Sequence, residues 1–372
     1  MKKVGIMSMQ RIANYGSFLQ AYALKKLIEE NGNEVEFVDY HIGSPVIIDN
    51  VNDNNKFIRK IKKGIETFKY KAPLLHKILF IRYKQKFIKE YLPLLGIEKK
   101  MNYNPKLDCL VIGSDEVFNC IQKNTNVGYS LELFGKDNKA KKVISYAASF
   151  GNTTINKLKE YNKDIEIGTL LKKMDSISVR DENSGEIVKK LTNREPIYNL
   201  DPVLIYDYIS YCDKIPKIDL KEKYIILYAY SGRITEKEAK WVKNYAKKKG
   251  YKIYAIGGIQ NYVDKFISCS PFEVLAYFKN AEEIITDTFH GTIFSIITGK
   301  KFVTLIRKSV KDSYGNEEKL SDLLKRLDLS GRMTFEVSNV EEINKRDIDY
   351  KSVFDILTKY RKFAKEYLKN NI

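Results

Sequence analysis

Short apolar strands alternate with amphipathic helices along this chain of 372 residues. The first unit runs from a strand at residues 4–7 through a helix at residues 17–31 to a second strand at residues 34–40. A strand, a helix and a second strand in this order form a parallel pair, with the helix crossing over the sheet. The pattern therefore predicts an α/β fold.

A second unit of the same kind begins near residue 224. Strands are predicted at residues 224–230 and 252–256, with a helix at residues 235–249 between them. Residues 206–223 show no periodicity and are interpreted as a linker between the two series of elements.

The length of the chain is typical of about two domains. We predict two Rossmann-like domains, residues 1–210 and 211–372, facing a cleft in a GT-B-like arrangement, and a long C-terminal helix at residues 353–368. A single large doubly wound domain is the alternative, because it would show much of the same pattern.

The net charge of +18 is concentrated in one segment. Residues 56–100 hold 14 Lys and Arg against 3 Glu, and their apolar residues recur at helical spacing. We predict a helical insertion here, made of two basic helices broken near Pro73. Its charge is either a solvated face or an attraction to anionic lipid headgroups or a diphosphate-bearing substrate. No recognition motif accompanies the charge, so a nucleic-acid partner is not expected.

The longest apolar runs are far shorter than the roughly 18 residues that span a bilayer. The first residues enter a strand rather than a signal-peptide apolar region. A cytoplasmic protein is expected, with peripheral association at the inner face of the membrane as a further option. The four cysteines are scattered without a CxxC pair, so neither a zinc site nor a disulfide framework is indicated.

Polar residues follow four predicted strands of the first half at their carboxyl ends: Asp115, Tyr146, Arg180 and Asp201. The carboxyl ends of parallel strands meet at one edge of a sheet, where α/β proteins bind ligands. These side chains are therefore expected along one rim.

The segment at residues 282–298 places a histidine between a strand and a helix. Asp287 follows the strand, and His290 precedes Gly291, where the backbone can turn into the helix. The first residues of that helix, Gly291 and Thr292, would offer backbone N–H groups to an anion. The alternative for His290 is a structural histidine held by hydrogen bonds.

Several segments together resemble the polysaccharide pyruvyltransferase family. They occur in the family's order over nearly the whole chain: Asn14-Tyr15-Gly16, Gly113-Ser114-Asp115-Glu116-Val117-Phe118-Asn119, Ser145-Tyr146-Ala147-Ala148-Ser149-Phe150-Gly151, Ser178-Val179-Arg180-Asp181, Leu200-Asp201-Pro202 and Thr286-Asp287-Thr288-Phe289-His290-Gly291-Thr292. Two positions depart from the family pattern, since Glu116 replaces the usual Gln and Phe118 the usual Trp.

The resemblance implies a GT-B-like fold and transfer of the enolpyruvyl group of phosphoenolpyruvate to two sugar hydroxyls. The products are a pyruvate ketal and phosphate, and neither a metal ion nor another cofactor is implied. The acceptor is a precursor of a cell-surface polysaccharide that is linked either to a lipid diphosphate or to a nucleotide.

Ketal formation requires a proton donor and a base. His290 is the expected general acid, because the unperturbed pKa of histidine lies near working pH. Asp115 and Asp287 are the candidates for the base that takes protons from the sugar hydroxyls. Each has a structural alternative: Asp115 would cap a turn, and Asp287 would cap the following helix or orient His290. Asp201 precedes a proline and is interpreted as fixing a turn.

The two negative groups of phosphoenolpyruvate require fixed positive charge. Arg180 is the first candidate, because its guanidinium can bind a carboxylate or phosphate with two hydrogen bonds. A salt bridge to a neighbouring carboxylate is its alternative role. Arg307 or Lys308 would supply the second charge, with ordinary surface charge as their alternative.

Three residues are candidates for the acceptor side of the cleft. Asn14 and Tyr15 lie on the loop after the first strand and would contact the sugar. Tyr146 either lines the sugar site or belongs to the core.

Two other functions fit parts of the same pattern. A GT-B glycosyltransferase that uses a sugar nucleotide would share the two-domain cleft. A non-catalytic protein that binds membranes or polyanions would account for the charge alone.

Overall fold

A computed structural model describes residues 1–47, 67–308 and 315–372 of the chain. Within these residues the chain forms two six-stranded sheets, and all the strand pairs in both are parallel. Helices pack against the sheets, so the predicted α/β class with two Rossmann-like halves is confirmed.

The strands are β1 Lys3–Met7, β2 Glu34–Phe37, β3 Lys106–Asp115, β4 Lys139–Ala148, β5 Ser178–Val179, β6 Ile197–Tyr198, β7 Tyr224–Tyr228, β8 Lys252–Ile256, β9 Lys265–Phe266, β10 Glu283–Thr286, β11 Lys301–Leu305 and β12 Met333–Thr334. The first sheet has the strand order β2-β1-β3-β4-β5-β6, and the second has the order β12-β11-β10-β7-β8-β9.

The helices connect these strands and cover the sheets. They are α1 Tyr15–Glu29, α2 Leu74–Lys86, α3 Ile155–Glu160, α4 Asp164–Lys172, α5 Glu182–Thr192, α6 Pro202–Ile205, α7 Tyr208–Tyr211, α8 Glu236–Lys249, α9 Pro271–Asn280, α10 Phe289–Ile297, α11 Glu317–Arg326, α12 Val340–Lys345 and α13 Tyr350–Asn371.

Each sheet has one point where its strand order reverses. In the first sheet the reversal lies between β1 and β3, and in the second it lies between β7 and β10. A crevice opens at such a point beyond the carboxyl ends of the strands, and ligands bind there. The strand order therefore singles out the loops after these four strands.

Helix α1 carries the contact between the two halves. Asn14 begins it, because its side-chain oxygen accepts a 2.7 Å hydrogen bond from the backbone N–H of Ser17. Phe18 and Tyr22 then pack against Phe272 of α9, with ring centroids 5.6 and 5.0 Å apart. The helix is buried on most sides because it lies between the first sheet and the second half.

The basic insertion is described only in part. The first predicted basic helix falls almost entirely on residues 48–66, outside the described residues. The second is α2, which begins directly after Pro73 and continues into a π-helical turn at Phe87–Tyr91. A 3₁₀ turn at Leu92–Leu95 then ends at Gly96, whose φ of 83° is left-handed.

The predicted linker begins inside the core rather than on the surface. It starts at Tyr206, between the two short helices α6 and α7, and includes α7. Tyr206 and Tyr208 are buried. Tyr208 donates a 2.5 Å hydrogen bond to the carbonyl oxygen of Leu19 in α1. The boundary between residues 210 and 211 remains a prediction.

The predicted C-terminal helix, α13, returns to the first half of the molecule. Tyr367 donates a 2.8 Å hydrogen bond to the carbonyl oxygen of Ser145 in β4. Arg361 pairs with Asp207 at 3.1 Å, and Lys365 pairs with Glu30 at 2.9 Å. The chain thus crosses between the halves twice.

All four cysteines are buried and none forms a disulfide. Over residues 1–47, 67–308 and 315–372, no helix combines the length and the apolar character that crossing a membrane would need.

We expect Tyr367→Phe to lower the free energy of unfolding by about 1 kcal/mol, because it removes one buried hydrogen bond between α13 and β4. Urea unfolding followed by circular dichroism measures this difference. Tyr211→Phe is the matched control, since Tyr211 is 71% exposed. Equal stability of the two variants would contradict the role of this contact.

Candidate active site

The carboxyl ends of the two sheets come together at one cleft, because His290 after β10 packs against Gly16 of α1 and lies 3.4 Å from Asp201 of the first half. The first half contributes the loop at residues 8–14 and the end of β3 at Asp115. The second half contributes the turn at residues 230–233 after β7 and residues 287–290 after β10. Predicted site residues from both sheets therefore meet here.

A cluster of three buried charged or chargeable groups joins the walls of the cleft. Asp201 of the first half lies 3.1 Å from Nη1 of Arg180 and 3.4 Å from Nε2 of His290. Asp201 is fully buried. Burial acts to raise the pKa of Asp201, but His290 and Arg180 outweigh it and hold this pKa below its usual value.

The sequence places Asp201 on the rim but does not reveal this contact. One oxygen of its carboxylate accepts a 3.0 Å hydrogen bond from the backbone N–H of Val203, as expected for a turn before Pro202. The other oxygen faces Arg180 and His290. The sequence predicted the turn at Asp201 but not the contacts of its carboxylate with Arg180 and His290.

Asp115 lies on the same wall as Arg180, as predicted. The carboxylate of Asp115 is 3.6 Å from Nη1 of Arg180 and 3.4 Å from the hydroxyl of Ser17. The backbone of Asp115 has a φ of 80°, a left-handed conformation that is uncommon for residues other than glycine. The guanidinium of Arg180 stacks 4.2 Å from the ring centre of Phe289, which belongs to the second half.

His290 lies where two helices begin. It is in the first turn of α10, which is capped by Thr288 through a 2.9 Å hydrogen bond from the N–H of Gly291. A Cβ placed on Gly16, in the first turn of α1, would lie 2.3 Å from Nδ1 of His290. The first turns of both helices contain no acidic residue, and their positive ends meet at this histidine, with the carboxylate of Asp201 3.4 Å away.

Asp287 is fully buried next to this junction. Neither oxygen of its carboxylate has a hydrogen-bond partner among the described residues. Desolvation raises the pKa of Asp287 to about 6, although the nearby charges of Arg233 and Arg307 act to lower it. The side chain neither caps α10 nor contacts His290, because Thr288 and Asp201 take those two roles.

Arg307 and Lys308 have different surroundings. Arg307 pairs with Glu238 at 2.5 Å, while its Nη2 atom is buried without a partner among the described residues. Asn316 connects this region to the site, since it binds the backbone N–H of Arg307 and the carbonyl oxygen of Asp287, both at 2.6 Å. Lys308 is exposed and lies over the ring of Phe335 at 5.1 Å.

The turn at residues 230–233 adds two residues that sequence reasoning missed. The guanidinium of Arg233 lies 4.8 Å from the ring centre of Tyr230. Desolvation raises the pKa of Tyr230 to about 12, and the charges of Asp115, Glu116 and Asp287 add to this. Tyr230 therefore faces carboxylates of both walls. Tyr230 and Arg233 could have been predicted from their position just after β7, because the position at the end of a strand also identified Asp115 and Asp287.

Five other predicted residues have their polar groups occupied within the protein. Asn14 caps α1, and Tyr15 donates a 2.9 Å hydrogen bond to the carbonyl oxygen of Cys269. Tyr146 is buried 3.4 Å from the carbonyl oxygen of Leu200. The backbone N–H of Gly291 is bound by Thr288, and a Cβ at this position would lie 2.2 Å from the hydroxyl of Thr286. The hydroxyl of Thr292 lies 2.9 Å from that of Thr304.

A further ion pair crosses the cleft at one of the departures from the family pattern. Glu116 of the first half pairs with Lys319 of α11 at 2.9 Å. The usual Gln could not form a charged pair here. Beside it, a small cavity is lined by residues of both halves, including Arg180, Asp201 and Arg326.

Of the twelve buried polar side-chain atoms without a partner among the described residues, five lie on four predicted site residues. Among the described residues these atoms include both carboxylate oxygens of Asp287, Nε2 of His290, Nε of Arg180 and Nη2 of Arg307. Nε2 of His290 lies 3.4 Å from the carboxylate of Asp201 but forms no hydrogen bond with it. Buried polar groups are nearly always satisfied, so such a concentration indicates a place built to receive a polar ligand.

The same fold occurs in solved structures of other proteins. S. aureus MnaA, in a co-structure with UDP, has 14% sequence identity and a TM-score of 0.51, and the match covers 98% of this chain and 94% of that protein. The UDP-N-acetylglucosamine 2-epimerase of Rickettsia bellii matches with 13% identity, 99% and 97% coverage and a TM-score of 0.48. The match to MnaA, together with the two parallel sheets, shows a GT-B-like fold.

The family follows from the sequence. The model of the polysaccharide pyruvyl transferase family matches residues 14–309, which include both the Asn14 loop and the His290 motif. The chain belongs to this family, and polysaccharide pyruvyl transfer is its general activity. No curated protein matches the chain significantly.

We expect Asp287→Asn to stabilise the protein at pH 8 but not at pH 4. The pKa of Asp287 is about 6 in the folded protein, against about 3.9 for an unfolded chain, so folding favours the protonated carboxyl. Stability is therefore lost as the pH rises from about 4 to 6, and this loss amounts to about 3 kcal/mol above pH 6.

The measurement is the urea unfolding free energy of both proteins from pH 4 to pH 8. The exposed Asp219 supplies the control variant Asp219→Asn. A difference between wild type and Asp287→Asn that is independent of pH would contradict the raised pKa.

Proposed function

We propose that this protein transfers the enolpyruvyl group of phosphoenolpyruvate to two hydroxyls of a sugar in a polysaccharide precursor. The products are a cyclic pyruvate ketal and phosphate. The observation that supports this most is the set of unpartnered buried atoms on Arg180, Asp287, His290 and Arg307, which offers both donors and acceptors to one ligand. Family membership supports the same reaction class.

The donor carries a carboxylate and a phosphate, so its site must supply positive charge. Beside its contacts with Asp201 and Asp115, Arg180 has an Nε–H group without a partner among the described residues, and guanidinium groups bind both anions well. The converging N-termini of α1 and α10 add partial positive charge at His290. We assign the donor to this junction between the two halves.

The reaction begins with protonation of the methylene carbon, and His290 supplies this proton. Positive charge then develops on the carbon that bears the phosphate, and the oxygen of the first sugar hydroxyl bonds to it while a base takes its proton. Phosphate leaves with the electrons of its C–O bond, and the second hydroxyl closes the ring and loses its proton. One proton enters and two leave, so the additional proton ends on the departing phosphate.

Three carboxylates surround this chemistry with different roles. Asp201 holds a negative charge 3.4 Å from Nε2 of His290, and its own pKa is lowered by this neighbour and by Arg180 despite its burial. Asp287 has a pKa of about 6, which suits a group that gains and loses a proton near neutral pH. Asp115 lies beside Arg180 and Ser17 on the first half, and it is the second candidate base.

The acceptor approaches from the open side of the cleft, where Tyr230 is 43% exposed. Arg233 lies over this ring, and no carboxylate of the described residues is within 4.0 Å of its guanidinium. An available cation at this position suits the phosphate of a lipid-linked or nucleotide-linked sugar. Incubation with phosphoenolpyruvate and a panel of both acceptor types, followed by mass spectrometry for the added ketal, identifies the carrier.

We expect His290→Gln to reduce phosphate release by about 100-fold or more, because the general acid is lost. The assay measures phosphate released from phosphoenolpyruvate in the presence of acceptor. His41→Gln is the matched control, since the side chain of His41 is 67% exposed and pairs with Glu132. Full activity of His290→Gln would contradict the mechanism. Protection against heat by sugar nucleotide alone, without phosphate release from phosphoenolpyruvate, would favour the glycosyltransferase alternative.

We expect Arg307→Gln to weaken phosphoenolpyruvate binding by about ten-fold or more, because the loss of one hydrogen bond to a charged group has an effect of this size. The adjacent Lys308→Gln should have little effect, because Lys308 points to solvent over Phe335. The half-saturating concentration for thermal stabilisation by phosphoenolpyruvate measures both. The two variants make the same change in charge at neighbouring positions. Equal losses would show that general charge, and not the position of Arg307, determines binding.

A further inference from the structure

The described part of the basic insertion exposes an unusual number of large apolar side chains. Their exposed fractions range from 37% for Ile78 to 63% for Leu74 and Leu75. The full set is Phe68, Leu74, Leu75, Ile78, Ile88 and Leu94. We call residues 67–95 the insertion surface. Contiguous apolar surface of this kind marks an interaction site in most proteins.

The opposite face of the same helix is firmly packed. The ring of Tyr83 lies 5.1 Å from that of Tyr15 in the first half, and the ring of Phe80 lies 5.8 Å from that of Phe266 in the second half. Tyr83 and Phe87 are both buried. The orientation of α2 is therefore determined by its buried face, and the outward apolar residues are held in place.

Basic residues are interleaved with the exposed apolar ones. Lys69, Arg82, Lys86 and Lys89 are all exposed, and no carboxylate of the described residues lies within 4.0 Å of their charged groups. By contrast, Lys71 pairs with Glu236 at 2.8 Å. The insertion surface thus combines apolar side chains with cations that have no carboxylate partner in the described ranges of the chain.

We propose that the insertion surface docks the protein on an anionic lipid bilayer. Leu74, Leu75 and Ile78 would enter the boundary between headgroups and acyl chains, as in helices that lie in the membrane interface. Arg82, Lys86 and Lys89 would bind the anionic headgroups. Their long stems allow the charge to reach the headgroup level while the apolar residues are buried.

A second copy of the chain fits this surface less well. A symmetric dimer brings the same patch of both partners together, so Arg82, Lys86 and Lys89 would face their own copies. This repulsion opposes self-association, whereas anionic headgroups neutralise it. The charge pattern therefore favours the membrane.

The insertion surface also lies beside the mouth of the cleft. A Cβ placed on Gly232 would lie 2.7 Å from the ring of Tyr70, so the turn that carries Tyr230 and Arg233 packs directly against the insertion. Lys84 binds the carbonyl oxygen of Ala13 on the other side. Docking would place the membrane next to the side from which the acceptor enters. This link to a lipid-linked acceptor, unlike docking itself, rests on the proposed function.

The test is co-sedimentation with phosphatidylcholine vesicles that contain or lack phosphatidylglycerol, without phosphoenolpyruvate or acceptor. We expect binding to the anionic vesicles that weakens at high salt. Combined Arg82→Gln, Lys86→Gln and Lys89→Gln should weaken it by about a hundred-fold, from about 1 kcal/mol per basic residue. Combined Leu74→Ser and Leu75→Ser should weaken it while leaving the secondary structure unchanged by circular dichroism.

Two control proteins carry equivalent changes elsewhere on the first half. Lys159→Gln, Lys172→Gln and Lys173→Gln together remove the same charge, and Ile165→Ser replaces an apolar side chain that is 80% exposed. Equal losses in the controls, or unchanged binding of the insertion variants, would overturn the proposal. The proposal would also fail if the Leu74 and Leu75 changes left vesicle binding unchanged and altered only the molecular mass measured by light scattering. That result would indicate that a second copy of the chain covers this surface. Because no substrate is present, none of these three outcomes bears on the proposed reaction.

Discussion

The buried carboxylate of Asp201 is the contact on which the site depends. It receives Arg180 from its own half and His290 from the other, so one anion fixes the spacing between the two walls. Burying a charge is unfavourable unless it is paired, and a single cation would leave part of the carboxylate unsatisfied. The cleft geometry and the charge state of its central residues are therefore maintained by the same interaction.

The other charges of the cleft follow a related pattern. Arg180 and Arg307 each contact a carboxylate of the protein, yet each has one nitrogen without a partner among the residues that the structure describes. Such a guanidinium is already held in position before an anion arrives, and little side-chain freedom is lost on binding. Neither carboxylate oxygen of Asp287 has a hydrogen-bond partner in the described part of the chain, and burial raises the pKa of this carboxyl, so it takes up a proton at a higher pH than usual. The site thus combines rigid cations with one adaptable acid.

The general architecture and the facing positions of Arg180, Asp115 and His290 followed from the sequence, because side chains at the ends of parallel strands meet at one edge. The direction of individual side chains did not follow. Tyr146 and Thr292 stand at the expected positions but turn into the core. Asp201 was interpreted from the proline beside it, a local signal that explains the turn but cannot show a contact across the molecule. Arg233 lies in a turn without a motif, where only the strand order of the second sheet indicates its importance.

The return of α13 to the first half has a consequence for biosynthesis. Ser145 and Tyr146 of β4 are translated about two hundred residues before Tyr367, which covers them. Contacts between such distant parts of a chain form late and slow the folding of a domain. The first sheet can assemble early on the ribosome, but this part of its surface stays uncovered until α13 has emerged. Chaperones that recognise apolar surface would bind to this uncovered part of the sheet during synthesis.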